Sequence, residues 1–218
     1  MKPSKPFKLV VFDMDGVLVD VESSWMFVHQ AFGVDNEVNH LRYLRGEISY
    51  QEFLDSDISL WGRVPLSLIE EILAKIPLMP GAEETLKALR SEGVKTAIIS
   101  SGLEPLAKRI QKKLSIDYVY ANRLLIDGEG YLTGRGEAIV EPRRKLEVLE
   151  KLASSLGLKL SSCAVVGDSC FDAPMLKAAG LGVAFNPKDE EAEKAADLVI
   201  RGKNLRAVLP PILGWRRG

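Results

Sequence analysis

Cysteine is almost missing from this chain of 218 residues, with Cys163 and Cys170 the only two. That excludes a disulfide framework and suits a reducing compartment. Histidine also occurs only twice, as His29 and His40, and neither has a partner at metal-ligand spacing. No charge of one sign dominates. Lys and Arg total 29 against 30 Asp and Glu, a net charge of −1, so no polyanion-binding surface or nucleic-acid partner is expected. The Arg216-Arg217 pair is too short to alter that. No apolar run approaches the roughly 18 residues of a membrane span. The first eight residues are polar and unlike a secretory signal. A cytoplasmic protein without a membrane partner is the expectation.

What remains is ordinary globular material, 46% apolar and 27% charged, long enough for one full domain with a sizeable insertion. Short apolar runs at 8–12, 94–100, 162–167, 181–185 and 198–200 read as buried strands. Helical patterns at 81–91, 104–114, 143–156 and 173–179 lie between them. Gly93, Gly157 and Gly180 follow three of these helices, where a left-handed C-cap is wanted. Such alternation predicts an α/β fold with a parallel, Rossmann-like sheet covered on both faces.

Residues 22–76 break the alternation with signals that are nearly all helical. Trp25, Val28 and Phe32, then Phe53 and Leu54, then Ile69, Ile72 and Leu73 carry the apolar positions. Ser49 with Glu52 reads as a capping box, and Pro65 suits a first helical turn. The division expected is an α/β core of residues 1–20 and 78–218, with residues 21–77 as a small helical-bundle cap over the strand ends. A second irregularity, 118–141, reads as a hairpin around Asp127-Gly128-Glu129-Gly130 with no assigned place on the main sheet. Residues 210–218 read as a loosely held tail.

Four places carry chemistry, all at strand carboxyl ends or adjoining helix starts. The first strand ends in Asp13-Met14-Asp15-Gly16. Chance alone would give D-x-D-G in a chain this size on the order of a few per cent of the time. Two carboxylates ending a buried strand imply a charge partner such as a metal cation. Ser100-Ser101-Gly102 ends the second strand and opens a helix, a good anion site, although Ser is also the commonest kind of N-cap. Lys145 stands near the start of a helix, where most lysines are simply solvated. Gly167-Asp168-Ser169 ends a third strand, with Asp172 one turn further on. Each has a bland explanation alone; four such coincidences together are improbable.

In this order the four sites resemble the haloacid dehalogenase superfamily, and most closely its phosphoserine phosphatase branch. The stretch from Lys145 to Asp168, the Ala121-Asn122-Arg123-Leu124 run and the start of the helix at Gly81 share that likeness. The resemblance implies a hydrolase acting on phosphate monoesters of a small metabolite, as a monomer or homodimer. Asp13 would attack phosphorus and form an aspartyl-phosphate, with Asp15 as general acid and base. Mg²⁺ would be held by Asp13, the carbonyl of Asp15 and Asp168. Ser100 and Lys145 would hold phosphoryl oxygens, assisted by N–H groups near Met14, Gly16 and Ser101. Asp172 would orient Lys145 or the metal shell.

The cap departs from that branch. Glu22 matches the glutamate that reads the serine head group, but the position of the partner arginine falls on Asp57. That reverses a charge meant for a carboxylate, unless Arg45 or Arg63 reaches in. Phe171 stands where the branch usually has asparagine. Phosphoserine is thus one candidate among small phosphate esters. Two other classes of function compete: a phosphotransferase or phosphomutase that hands the phosphoryl group to an acceptor hydroxyl, and a non-catalytic binding protein on the same fold.

Overall fold

The computed structural model describes residues 7–214. A strand β1 (Leu9–Phe12) is followed by four helices, α1 (Ser24–Phe32), α2 (Glu37–Leu44), α3 (Tyr50–Ser59) and α4 (Leu66–Ala74). Then come α5 (Ala82–Ser91), β2 (Lys95–Leu103), α6 (Glu104–Leu114), and the hairpin β3 (Tyr118–Ile126) and β4 (Leu132–Glu137). The remainder is α7 (Lys145–Ser155), β5 (Cys163–Gly167), α8 (Ala173–Ala178), β6 (Leu181–Phe185), α9 (Glu190–Ala195), β7 (Leu198–Ile200) and α10 (Leu209–Leu213).

The strands form one sheet in the order β4-β3-β2-β1-β5-β6-β7, parallel throughout except for the β3–β4 pair. The expected α/β fold is therefore present. β1 is central because both of its faces are apolar. Val10 and Phe12 pack into the core on one side and Leu9 and Val11 into the core on the other, the period-2 consequence of pleating. All four side chains are fully buried, so the chain that follows emerges rigidly held at the carboxyl edge of the sheet.

Local signals account for the helix ends. Ser49 and Glu52 form the capping box at the start of α3, satisfying two backbone N–H groups reciprocally. Ser23 caps α1, accepting from the Met26 N–H at 3.3 Å. β2 runs three residues past the expected strand, carrying Ser100, Ser101 and Gly102 within it.

The hairpin that could not be placed from sequence extends the sheet. β3 pairs parallel with β2, while β4 turns back antiparallel and faces α3. Gly136 permits this approach: a Cβ there would lie 2.3 Å from Leu54 Cδ2. The Gly136 N–H donates to Asp55, and its carbonyl accepts from Gln51. The chain end also differs from expectation. Residues 209–213 form a helix with Leu209 and Ile212 buried, because apolar positions i and i+3 share a helix face. The Arg216-Arg217 pair lies outside the described residues.

Candidate active site

Asp13 is the first residue beyond β1, and its N–H still donates to the Val166 carbonyl at 2.9 Å, continuing the ladder with β5. Its carboxylate is therefore aimed out of the sheet edge. Asp13 Oδ1 accepts from the Met14 N–H at 2.7 Å and lies 3.2 Å from Lys145 Nζ. Lys145 is buried and also donates to Asp172 Oδ1 at 2.7 Å. Burial pulls the Lys145 ammonium down, but the Asp13 and Asp172 carboxylates more than offset this, so it is held protonated. Burial also raises Asp13, and Asp172 adds to that rise against the lowering by Lys145.

Asp172 is saturated. Its Oδ2 accepts from the N–H groups of Asp168 and Ser169, at 3.0 and 3.2 Å, and from the Ser169 hydroxyl. Gly167 makes room for it, since a Cβ there would sit 2.5 Å from Asp172 Cβ.

Asp15 hangs one oxygen on α1. Both the N–H and the hydroxyl of Ser24 donate to Asp15 Oδ2 at 2.7 Å. Asp15 Oδ1 is buried without a partner, and so is Asp168 Oδ1. Burial pushes Asp15 up to about 6, despite the Ser24 N–H. Burial, with the Asp13 charge adding, pushes Asp168 up to about 7. Asp13, Asp168 and Asp172 offer oxygens within 4.8 Å of one another. With Asp172 already engaged, Asp13 and Asp168 are the carboxylates free to take a divalent cation. The buried Asp168 Oδ1 without a donor, in a site of excess negative charge, fits that ion.

Ser100 is buried and its hydroxyl accepts from the Gly102 N–H at 3.2 Å. Ser101 contributes its carbonyl, which accepts from Trp25 Nε1 at 2.9 Å and Asn122 Nδ2 at 2.8 Å, while its buried hydroxyl has no partner. Glu22 lines the same cleft of about 430 Å³ as Asp13, Asp15, Ser100, Lys145 and Asp168. Gly16 differs from its expected part. Its N–H donates to the Val19 carbonyl at 3.0 Å, and its φ of +81° lets the chain turn against Asp168. A Cβ at Gly16 would lie 2.0 Å from Asp168 Oδ2. The Met14 N–H is likewise engaged by Asp13.

Three contributors were given no role by the sequence reading. Lys188, in the loop after β6, reaches Asp168 Oδ2 at 2.9 Å and the Glu22 carbonyl at 3.0 Å. Nothing local separates it from a solvated lysine except its position just past a buried strand. Ser24 opens α1, and a serine at a helix start carries no local sign that it will meet a carboxylate. Asn122 is fully buried, with Nδ2 2.8 Å from Tyr50 Oη and Oδ1 accepting from the Val140 N–H. It ties α3, β2 and the segment before α7 together.

The site residues expected on the inserted helical segment fall as follows. Asp57 is buried and borders a second cavity of about 260 Å³, alongside Trp25, Tyr50 and Phe171. Neither arginine offered as its substitute reaches it. Arg63 pairs with Asp127 and Glu129 at the hairpin turn, and Arg45 lies by Glu47 on the surface. No helix among the described residues is long and apolar enough to cross a membrane.

Comparison with known proteins adds relatives. A family model for haloacid dehalogenase-like hydrolases matches residues 7–180. A phosphoserine phosphatase of Methanocaldococcus jannaschii is 36% identical, the match covering 94% of this chain and 97% of that one. A phosphoserine phosphatase of Archaeoglobus fulgidus is also 36% identical over 94% of this chain, but it is longer and only 61% of it is covered. A solved structure described as a phospho-aspartyl intermediate analogue of phosphoserine phosphatase superposes with a TM-score of 0.80. It is 33% identical, covering 95% of this chain and all of that one.

Proposed function

The chain belongs to the haloacid dehalogenase-like hydrolases, and on that premise we propose that it hydrolyses a small phosphate monoester through an aspartyl-phosphate on Asp13. It is a phosphoric monoester hydrolase of that family, and its phosphoserine phosphatase relatives support a small phosphorylated metabolite as substrate. The observation that carries the reading is the convergence of Asp13, Lys145, Asp15 and Asp168 on one cleft, with buried oxygens of Asp15 and Asp168 left without donors.

Asp13 Oδ1 is held by Met14 and Lys145, so Oδ2 is the attacking atom. As the P–O bond to the leaving alcohol breaks, Asp15 Oδ1 gives its proton to that oxygen. Burial suits Asp15 to this task by keeping the acid form available near neutral pH. Asp15 then takes a proton from the water that attacks phosphorus and releases Asp13. Lys145 and Ser100 hold the phosphoryl oxygens, and Asp172 positions Lys145. Mg²⁺ is the cation proposed, held by Asp13, Asp168 and the carbonyl of Asp15; when bound it neutralises repulsion between carboxylate and phosphate. Ser101 and Glu22 face the substrate from the cleft wall. Residues 21–77 act as a cap over residues 1–20 and 78–218.

Phosphate release from p-nitrophenyl phosphate and a metabolite panel, with Mg²⁺ or EDTA, tests this reading. Metal-dependent release that vanishes in Asp13→Asn is expected. Release that persists in the variant, or none with the protein folded, would refute it.

A further inference from the structure

Beyond the cleft, the second cavity carries a charge with no counterion. Asp57 lines it while being only 3% exposed. Its donor is the neutral amide of Asn36, whose Nδ2 stands 3.3 and 3.1 Å from Oδ1 and Oδ2, while His29 Nε2 stands 3.4 Å from Oδ2 without forming a hydrogen bond. His29 Nδ1 accepts from Trp61 Nε1 at 2.8 Å, so the single proton of a neutral imidazole sits on Nε2, facing Asp57. Among the described residues no lysine or arginine pairs with Asp57. A carboxylate buried beside a neutral amide and imidazole is costly unless a cation arrives to meet it.

The walls suit such a cation. Aromatics make up 7% of the chain, yet Trp25, Tyr43, Tyr50 and Phe53 all border this one cavity. Tyr43 and Phe53 stack at 5.2 Å between ring centres, and Tyr43 meets Tyr50 at 5.6 Å. Ring faces attract ammonium groups and also pack against an apolar body. The cavity adjoins the catalytic cleft, and Trp25, His40, Ser101 and Phe171 line both. A substrate with its phosphate at Asp13 and a body long enough to pass these residues would reach Asp57.

We infer that Asp57 binds a protonated amine, so the preferred substrate is the phosphate monoester of an amino alcohol with an apolar or aromatic body. This deepens, and rests on, the phosphatase reading above. Arg143, exposed at the rim of the same cavity, is the cation that would instead favour a carboxylate-bearing ester.

The test compares kcat/KM for 2-amino-3-phenylpropyl phosphate, 3-phenylpropyl phosphate and O-phosphoserine, with p-nitrophenyl phosphate as a generic ester. The amine ester should exceed its amine-free counterpart by ~10- to 100-fold, the worth of one charged hydrogen-bonded pair. In Asp57→Asn that ratio should fall to about one. An equal or reversed ratio in the wild type, an unchanged ratio in the variant, or O-phosphoserine as the best substrate would overturn the inference. If no ester at all is turned over, the phosphatase reading fails separately. Calorimetry with 2-amino-3-phenylpropan-1-ol still decides the role of Asp57: binding that weakens at least tenfold in folded Asp57→Asn supports it, and equal binding or none overturns it.

Discussion

Ser24 donates twice to the same oxygen of Asp15, once from its backbone and once from its hydroxyl, each at 2.7 Å. Ser24 opens the first helix of the inserted segment, so the carboxylate proposed to transfer the proton is oriented by the segment proposed as the cap. The second oxygen of Asp15 is left without a donor, as its proposed part in proton transfer requires.

Removing the hydroxyl tests this coupling. In Ser24→Ala the backbone donor remains, but a bond that lowers the pKa of Asp15 is lost. The pKa should rise from about 6, and the alkaline limb of the kcat–pH profile should move up with it. A kcat loss of roughly tenfold is expected for a loosened general acid. An unmoved limb would mean that Ser24 does not set the protonation of Asp15.

Stability without metal should depend on pH with a definite sign. Asp15 and Asp168 have folded pKa values of about 6 and about 7 against an ordinary 3.8. Their native environment favours the protonated forms, so this stabilisation is complete below about pH 4 and is lost as pH rises through 6 and 7. Melting scans in EDTA should therefore show Tm falling across that window, over and above any general acid unfolding. Added Mg²⁺ should flatten the fall, because the ion binds the ionised carboxylates. A Tm that climbs across the same window in EDTA would contradict the assignment.

The same logic separates function from stability at Asp168. Asp168→Asn removes a buried charge that burial penalises. The metal-free variant should melt no lower than wild type at pH 8, while Mg²⁺-induced stabilisation and turnover are both lost. Isothermal titration with Mg²⁺ alone checks the binding half of this expectation.

Gly16 allows no side chain. Its φ is +81°, and a Cβ would lie 2.0 Å from Asp168 Oδ2. Gly16→Ala should cost about 1–3 kcal/mol of stability from the backbone alone. It should also displace Asp168 and weaken metal binding at least tenfold. Urea unfolding read beside Mg²⁺ titration distinguishes the two effects.

Asn122 holds three elements at once, through Tyr50, Ser101 and Val140. Asn122→Ala strands buried polar groups on all of them, so a loss of about 2–4 kcal/mol is expected in chemical unfolding. A loss below about 0.5 kcal/mol would show that water replaces the amide.

The sequence by itself determined the scaffold and its catalytic edge. Buried strands with short apolar runs had to form a parallel sheet, and polar residues just past their ends had to meet at its carboxyl edge. Asp13, Asp15, Ser100 and Asp168 were legible for that reason, since position along each strand end fixes position in space; Lys145, at a helix start, was legible only through its place in the order of motifs that carries the family resemblance. The contributions of Ser24, Lys188 and Asn122 were not, because a helix-start serine, a loop lysine and a strand asparagine have the same local sequence whether they face solvent or a carboxylate. The hairpin was visible as a turn, but its pairing with β2 depends on contacts far apart in the chain. Only the tertiary structure decided what Asp57 meets. Its neighbours His29 and Asn36 lie on α1 and at the start of α2, far from it in sequence, and their neutrality is what leaves the charge for the proposed ligand to balance.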